Sequence, residues 1–149
     1  MRARDLAAPF PTVSLDDDAM AAARTMAAER APGLIVCGDD GHPYTVLPGS
    51  QVLNFVIPKY VQDQPSLARA FGERASDQLS SKLVRHSVRD MVPKPADADE
   101  LPVVDPDATT IEVAAVMARM HSPLVAVVDG GTIVGAITVS RLLTHFLPA

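Results

Sequence analysis

The amino-acid sequence states one pattern twice, and that repeat constrains the architecture more than any single motif can. In the second copy, Thr109-Thr110-Ile111-Glu112-Val113-Ala114-Ala115-Val116-Met117 leads to Ser122-Pro123. Leu124-Val125-Ala126-Val127-Val128-Asp129-Gly130-Gly131 and Thr132-Ile133-Val134-Gly135-Ala136-Ile137-Thr138 follow. A shift of 91 residues superposes Ala23 on Ala114, Met26 on Met117, Pro32 on Pro123 and Val36 on Val127. After one extra residue, Gly38, a shift of 90 superposes Asp39 on Asp129, Gly41 on Gly131, Ser50 on Ser140 and Leu53 on Leu143. Two similar units facing each other leave a cleft between them, and that cleft is the first place to expect a ligand.

Each unit reads as helix, strand, turn, strand, helix. In the second, Thr109 and Glu112 have capping-box spacing. Ile111, Ala114, Ala115 and Ala118 recur at helical intervals as an apolar stripe, which Val113, Met117 and Met120 widen. Ser122-Pro123 ends the helix, because the residue before proline is pushed out of the α region. Leu124 to Val128 is short and rich in β-branched residues, which predicts a buried strand. Asp129-Gly130-Gly131 is hairpin-turn chemistry, Thr132 to Thr138 returns, and a closing helix runs from about Ser140 to Phe146. The first unit repeats the order. Asp16, Asp17 and Asp18 favour a helix start, and Met20, Ala23 and Ala27 line one helical face. Ala31-Pro32-Gly33 breaks that helix, Leu34 to Cys37 is a strand and Gly38 to Gly41 a turn. Tyr44 to Leu47 returns, and Pro48-Gly49 opens a short helix through Val52, Leu53 and Val56.

Residues 1–57 and 88–149 are therefore two repeats joined by a helical connector over 58–87. In the connector, Pro65 to Ala68 and Leu79 to Val84 read as helical, with Gly72 as an interruption. Arg4-Asp5-Leu6 recurs as Arg89-Asp90-Met91, so a short lead-in precedes the main helix of each unit. Pro93 to Pro106 reads as a loop, with Asp97, Asp99 and Glu100 as a solvated acidic stretch. It lacks the ligand spacing and the glycine of a calcium loop.

Composition narrows the function classes. With 149 residues, 48% of them hydrophobic, the chain is about one well-packed domain, and without Trp its core falls to Ala, Val, Leu, Ile and Met. The single Cys37 excludes an intrachain disulfide and any multi-thiolate metal site. The net charge of -5 argues against a nucleic-acid surface. No apolar run approaches the roughly 20 residues of a membrane span, and Met1-Arg2-Ala3-Arg4-Asp5 is unlike a signal peptide. The expected location is cytoplasmic. His42, His86, His121 and His145 are too scattered to form a metal set. Ser14, Ser50 and Ser140 have no nucleophile context, and no phosphate-binding glycine loop is present.

The order of elements resembles the CBS domain, named after cystathionine β-synthase. Ala114-x-x-Met117, Ser122 to Asp129, Gly135-Ala136-Ile137-Thr138 with Leu142-Leu143, and the lead-in Val88-Arg89-Asp90-Met91-Val92 carry the likeness. The resemblance implies an α/β (α+β) fold of two β-α-β-β-α repeats packed as a pseudo-two-fold module. It implies a homodimer, and AMP, ADP, ATP or S-adenosylmethionine as a regulatory ligand, with no cofactor required. In the family's nucleotide signature a hydroxyl at the start of the closing helix meets phosphate or ribose, and an Asp one turn later accepts from the ribose hydroxyls. Here Thr138 holds the hydroxyl position and Arg141 the Asp position. In the first unit the same positions hold Pro48 and Gln51. The ribose anchor is missing from both copies.

The candidate cleft accordingly comprises Thr138, Arg141, Ser140 and Ile137 on one side and Ala31, Pro32 and Gly33 on the other, with His121 nearby. Arg141 adds donors at a helix start and can hold phosphate or carboxylate; the simpler expectation is a solvent-facing Arg or an ion pair across the dimer. The function that follows is a non-catalytic regulatory pair sensing an adenosine nucleotide or related anion and modulating an enzyme or transporter. The alternative is a ligand-free dimerisation and interaction module. No convergent acid–base or nucleophile set points to an enzyme.

Overall fold

A computed structural model of the chain describes residues 1–94 and 101–149. The acidic Asp97, Asp99 and Glu100 lie outside the described residues. The first unit contains β1 (Thr12–Ser14), α2 (Ala19–Ala28), β2 (Gly33–Cys37), β3 (Pro43–Pro48) and α3 (Gly49–Val56). The second contains β4 (Val103–Val104), α6 (Thr110–Met120), β5 (Leu124–Asp129), β6 (Thr132–Thr138) and α7 (Val139–Phe146). In each sheet the first strand runs parallel to the second, which pairs antiparallel with the third. The connector holds α4 (Lys59–Asp63), a 3-10 turn over Pro65–Ala70, α5 (Ala75–Ser80) and a second 3-10 turn over Ser81–Arg85.

The near-continuous apolar runs of β2 and β5 follow from burial on both faces. Leu34 and Val36 point into a core with Ala22, Met26 and Val52, while Ile35 points to the opposite face. Val125 and Val127 meet Val113, Met117 and Leu142; Leu124 and Ala126 join Ile35 and Ala136 between the two sheets. The hairpin turn at Gly130 and Gly131 has φ of 57° and 87°, a backbone that glycine adopts without strain.

Three sequence expectations change. β1 and β4 are too short to announce themselves by alternation, and β4 falls inside the stretch read as loop. The helical phase of α6 also differs: Val113 and Met117 are buried, whereas Ile111 is 72% exposed and Ala115 and Ala118 face out. Many small apolar residues on all sides of this helix blur its periodicity. Lastly, the lead-ins trade places. α1 (Ala3–Leu6) puts Ala3 and Leu6 into the core of the second unit, and the 3-10 turn Val88–Met91 puts Val88 and Met91 into that of the first.

The exchange is symmetric at the level of single bonds. Ala3 N donates to Ala108 O at 2.8 Å and Arg4 N to Pro106 O at 3.0 Å; Val88 N donates to Asp17 O at 2.9 Å and Arg89 N to Leu15 O at 2.8 Å. Each lead-in is closed by a carboxylate three residues on, Asp5 accepting from Arg2 N and Asp90 from Ser87 N. Arg89 further bonds Asp16 and Asp39, both in the first unit.

Candidate functional site

Two clefts lie where the units meet, and the internal repeat relates them. The first encloses about 490 Å³ between Thr138 and Ser140 at the start of α7 and Glu29, Arg30, Ala31 and Pro32 at the end of α2. Pro9, Phe10 and Pro11, the segment leaving the exchanged α1, form its third wall. The second encloses about 770 Å³ between Thr45, Pro48 and Gln51 of the first unit and Arg119 to Pro123 of the second. Its third wall is Val92, Pro93 and Pro102. Each cleft thus joins one unit's closing-helix start to the other unit's helix-end turn.

Local sequence dictates these positions. Arg30 and His121 end α2 and α6 in the left-handed conformation, both with φ of 50°, and the following Pro32 and Pro123 prevent the helices from continuing. Thr138 caps α7, its Oγ1 accepting from Arg141 N at 3.3 Å and lying 3.2 Å from Ser140 Oγ. In the other cleft, Pro48 stands at that capping position with no side-chain bond to offer. The Ser122 hydroxyl is turned to Leu124 O.

Of the candidate residues, the structure places Thr138, Ser140, Ala31 and Pro32 around one cleft. The other expected residues lie elsewhere. Ile137 is fully buried in the second unit's core and Gly33 is buried within β2, because alternate strand residues point away from the cleft. His121 lines the second cleft, since each helix-end turn serves the cleft opposite its own unit's signature. Arg141 is solvent-exposed, as the simpler expectation has it, and does not line the Thr138 cleft; its Nε donates to Leu6 O of the exchanged α1. Sequence reading missed the second cleft and the wall Pro9-Phe10-Pro11. The superposition of Pro32 on Pro123 was the available signal for the former. An aromatic residue between two prolines was the signal for the latter.

Two further features bear on chemistry. A cavity of about 550 Å³ between the hairpin tips is lined by Cys37, Asp40 and His42 among others. Burial pushes the Cys37 thiol above its usual range, and the Asp40 carboxylate adds to this, so the thiol stays neutral. His42 instead ties the tips together, its Nδ1 lying 3.0 Å from Gly131 O. Among the described residues no group of three His, Cys, Asp or Glu is placed to hold a metal ion, and no helix is long and apolar enough to cross a membrane. The second feature is an apolar groove of about 780 Å³ along α6 and α7, lined by Ala114, Ala118, Val139, Leu143 and Phe146 beside the start of α3.

The chain matches the family described as CBS domain over residues 88–148. No curated protein matches it. Among solved structures it is similar to a CBS domain-containing protein of unknown function from Kribbella flavida, at 49% identity over 99% of both chains and a TM-score of 0.82. The CBS domain of a membrane protein from Sphaerobacter thermophilus aligns at 25% identity over 99% of this chain and 88% of that one, with a TM-score of 0.72. CBSX2, solved in complex with AMP, aligns at 19% identity over 97% of this chain and 95% of that one, with a TM-score of 0.66, a likeness of fold. With its repeated fold and these relatives, the chain belongs to the CBS-domain proteins and is built as a CBS pair.

Proposed function

We propose that this CBS pair is a regulatory module that senses an adenosine nucleotide or related anionic ligand and modulates a partner protein. The observation that carries the reading is the pair of interunit clefts, each combining proline and other apolar residues with several polar side chains. A ligand between the units bears on both of them, and it shifts a partner only through different affinity for two arrangements. AMP bound to CBSX2 supports an adenosine compound. In the Thr138 cleft we place the anionic group beside Thr138, Ser140 and Arg30, with the base against Phe10 and Pro32.

Neither cleft has a carboxylate at the position that accepts ribose hydroxyls in the family's signature. Loss of those charge-assisted hydrogen bonds weakens binding by about 1.5–3 kcal/mol, or about one to two decades in dissociation constant. Calorimetric titration with AMP, ADP, ATP and S-adenosylmethionine tests the proposal. The expected result is weak binding that Arg30→Glu and Thr138→Ala abolish. No heat from any of the four, or binding indifferent to both substitutions, overturns it.

A second reading, a dimerisation and interaction module, draws on a different observation. Val139, Leu143 and Phe146 are 40%, 43% and 49% exposed along the apolar groove of α6 and α7, a concentration of apolar surface that favours association. A homodimer through this face is the expected form. Sedimentation should give twice the chain mass, falling to one chain in Phe146→Glu; a wild-type mass of one chain at micromolar concentration defeats it.

A further inference from the structure

The two side chains standing where the family's signature has its Asp make the same bond. Gln51 Nε2 donates to Met91 O at 3.2 Å, and Arg141 Nε donates to Leu6 O. Met91 and Leu6 are the last residues of the two exchanged lead-ins, each almost fully buried in the core it has joined. Both donors come from the first turn of a closing helix, α3 or α7, and both acceptors from the lead-in that has crossed over from the other unit. An Asp at either position is an acceptor only and cannot serve a carbonyl.

We infer that Gln51 and Arg141 are positioning residues that latch the exchanged lead-ins and so fix the third wall of each cleft. The residues that follow the latched carbonyls are the wall residues: Val92 and Pro93 after Met91, and Pro9 to Pro11 shortly after Leu6. One donor thus connects the signature turn of each unit to the wall that completes its own cleft. Gln and Arg differ in charge and length, so what the two positions share is an N–H at the end of an unbranched stem. The cost of this arrangement falls on ribose recognition, because the position that offers an acceptor in the signature here holds a donor already in use. The wall's role in ligand selection rests on the sensing function proposed above; the latch itself needs no ligand.

Hydrogen exchange on the full chain separates the two ideas. Gln51→Glu keeps the shape and removes the donor; Arg141→Met keeps the stem and removes the guanidinium. Gln51→Glu should speed exchange at Val88 N and Arg89 N about fivefold, the factor for a hydrogen bond of about 1 kcal/mol. Arg141→Met should do the same at Ala3 N, Arg4 N and Ala8 N. The strand amides of β2 and β5 should stay within twofold of wild type in both. Arg141→Gln, which installs the first unit's own solution, should restore protection at Ala3 N and Arg4 N. Equal acceleration throughout the chain, no acceleration at the lead-ins, or failure of Arg141→Gln to restore protection would each overturn the latch. A null AMP titration with these exchange results intact would count against sensing alone.

Discussion

Replacing Gly135 by alanine tests the lead-in exchange at its point of closest approach. A Cβ on Gly135 would lie 2.7 Å from Ala8 O, 3.2 Å from Ala8 C and 3.3 Å from Ala7 Cβ. The nearest atom is backbone, so no side-chain rotation relieves the clash, and the segment must move away by roughly 0.7 Å to reach ordinary contact. That movement lengthens the reciprocal bonds between Ala8 and Ala136, now 3.0 and 2.9 Å, to about 3.6–3.7 Å, where they weaken steeply. Two hydrogen bonds at about 1 kcal/mol each set the loss, and the reduced freedom of the unfolded chain returns about 0.4–1 kcal/mol. The net expectation is a destabilisation of about 1–2 kcal/mol, measured as a lower urea midpoint at unchanged slope. Gly72→Ala is the control: nothing lies within 4 Å of its added Cβ, and it should be neutral or slightly stabilising. A Gly135→Ala protein as stable as wild type beside a well-behaved control would mean that the N-terminal segment does not pack on β6.

The phase of α6 is checked by two truncations: Val113→Ala, at a fully buried site, should cost about 2 kcal/mol, and Ile111→Ala about 0.5 kcal/mol or less in the monomer. Similar losses from both would refute the orientation of that helix. Asp90 is held below the usual carboxylate range by the Ser87 amide, with His86 adding to this. Its lowered folded pKa contributes stability above the ordinary carboxylate range that is lost as pH falls through the folded value. Asp90→Asn should therefore lower the melting temperature at neutral pH and have no effect in strong acid; a difference that persists in acid would contradict this. Cys37, neutral and only partly exposed, should alkylate at pH 8 more slowly than a free thiol, and a rate equal to that of free cysteine would show that its burial is wrong.

Much of the fold was legible in the sequence because the second unit obeys every local rule at once. The cap at Thr109, the stop at Ser122-Pro123, the run Leu124 to Val128 and the turn Asp129-Gly130-Gly131 all appear where their chemistry puts them. The phase of α6 was not legible, because Ile111, Ala114, Ala115 and Ala118 form as regular an apolar stripe as the one that is buried. Strands β1 and β4 were hidden by their length of three and two residues, too short for a period of two to register.

The exchange of lead-ins shows where local reading stops and why the candidate site was only half visible. Arg4-Asp5-Leu6 and Arg89-Asp90-Met91 are recognisable as equivalents, yet nothing in either triplet says which core it joins. Each carries an Asp that caps the turn and a buried apolar residue, Leu6 or Met91. The choice is made by long-range backbone bonds to Ala108 and Pro106 on one side and to Asp17 and Leu15 on the other. Those acceptors are main-chain carbonyls, which no residue type encodes. The same applies to Arg141 and Gln51, whose partners Leu6 O and Met91 O belong to the exchanged segments. Thr138, Ser140, Ala31 and Pro32 could be placed from the repeat because they sit at element ends fixed by caps and prolines. Arg141 could not, because its bond depends on a chain crossing that only the assembled pair contains.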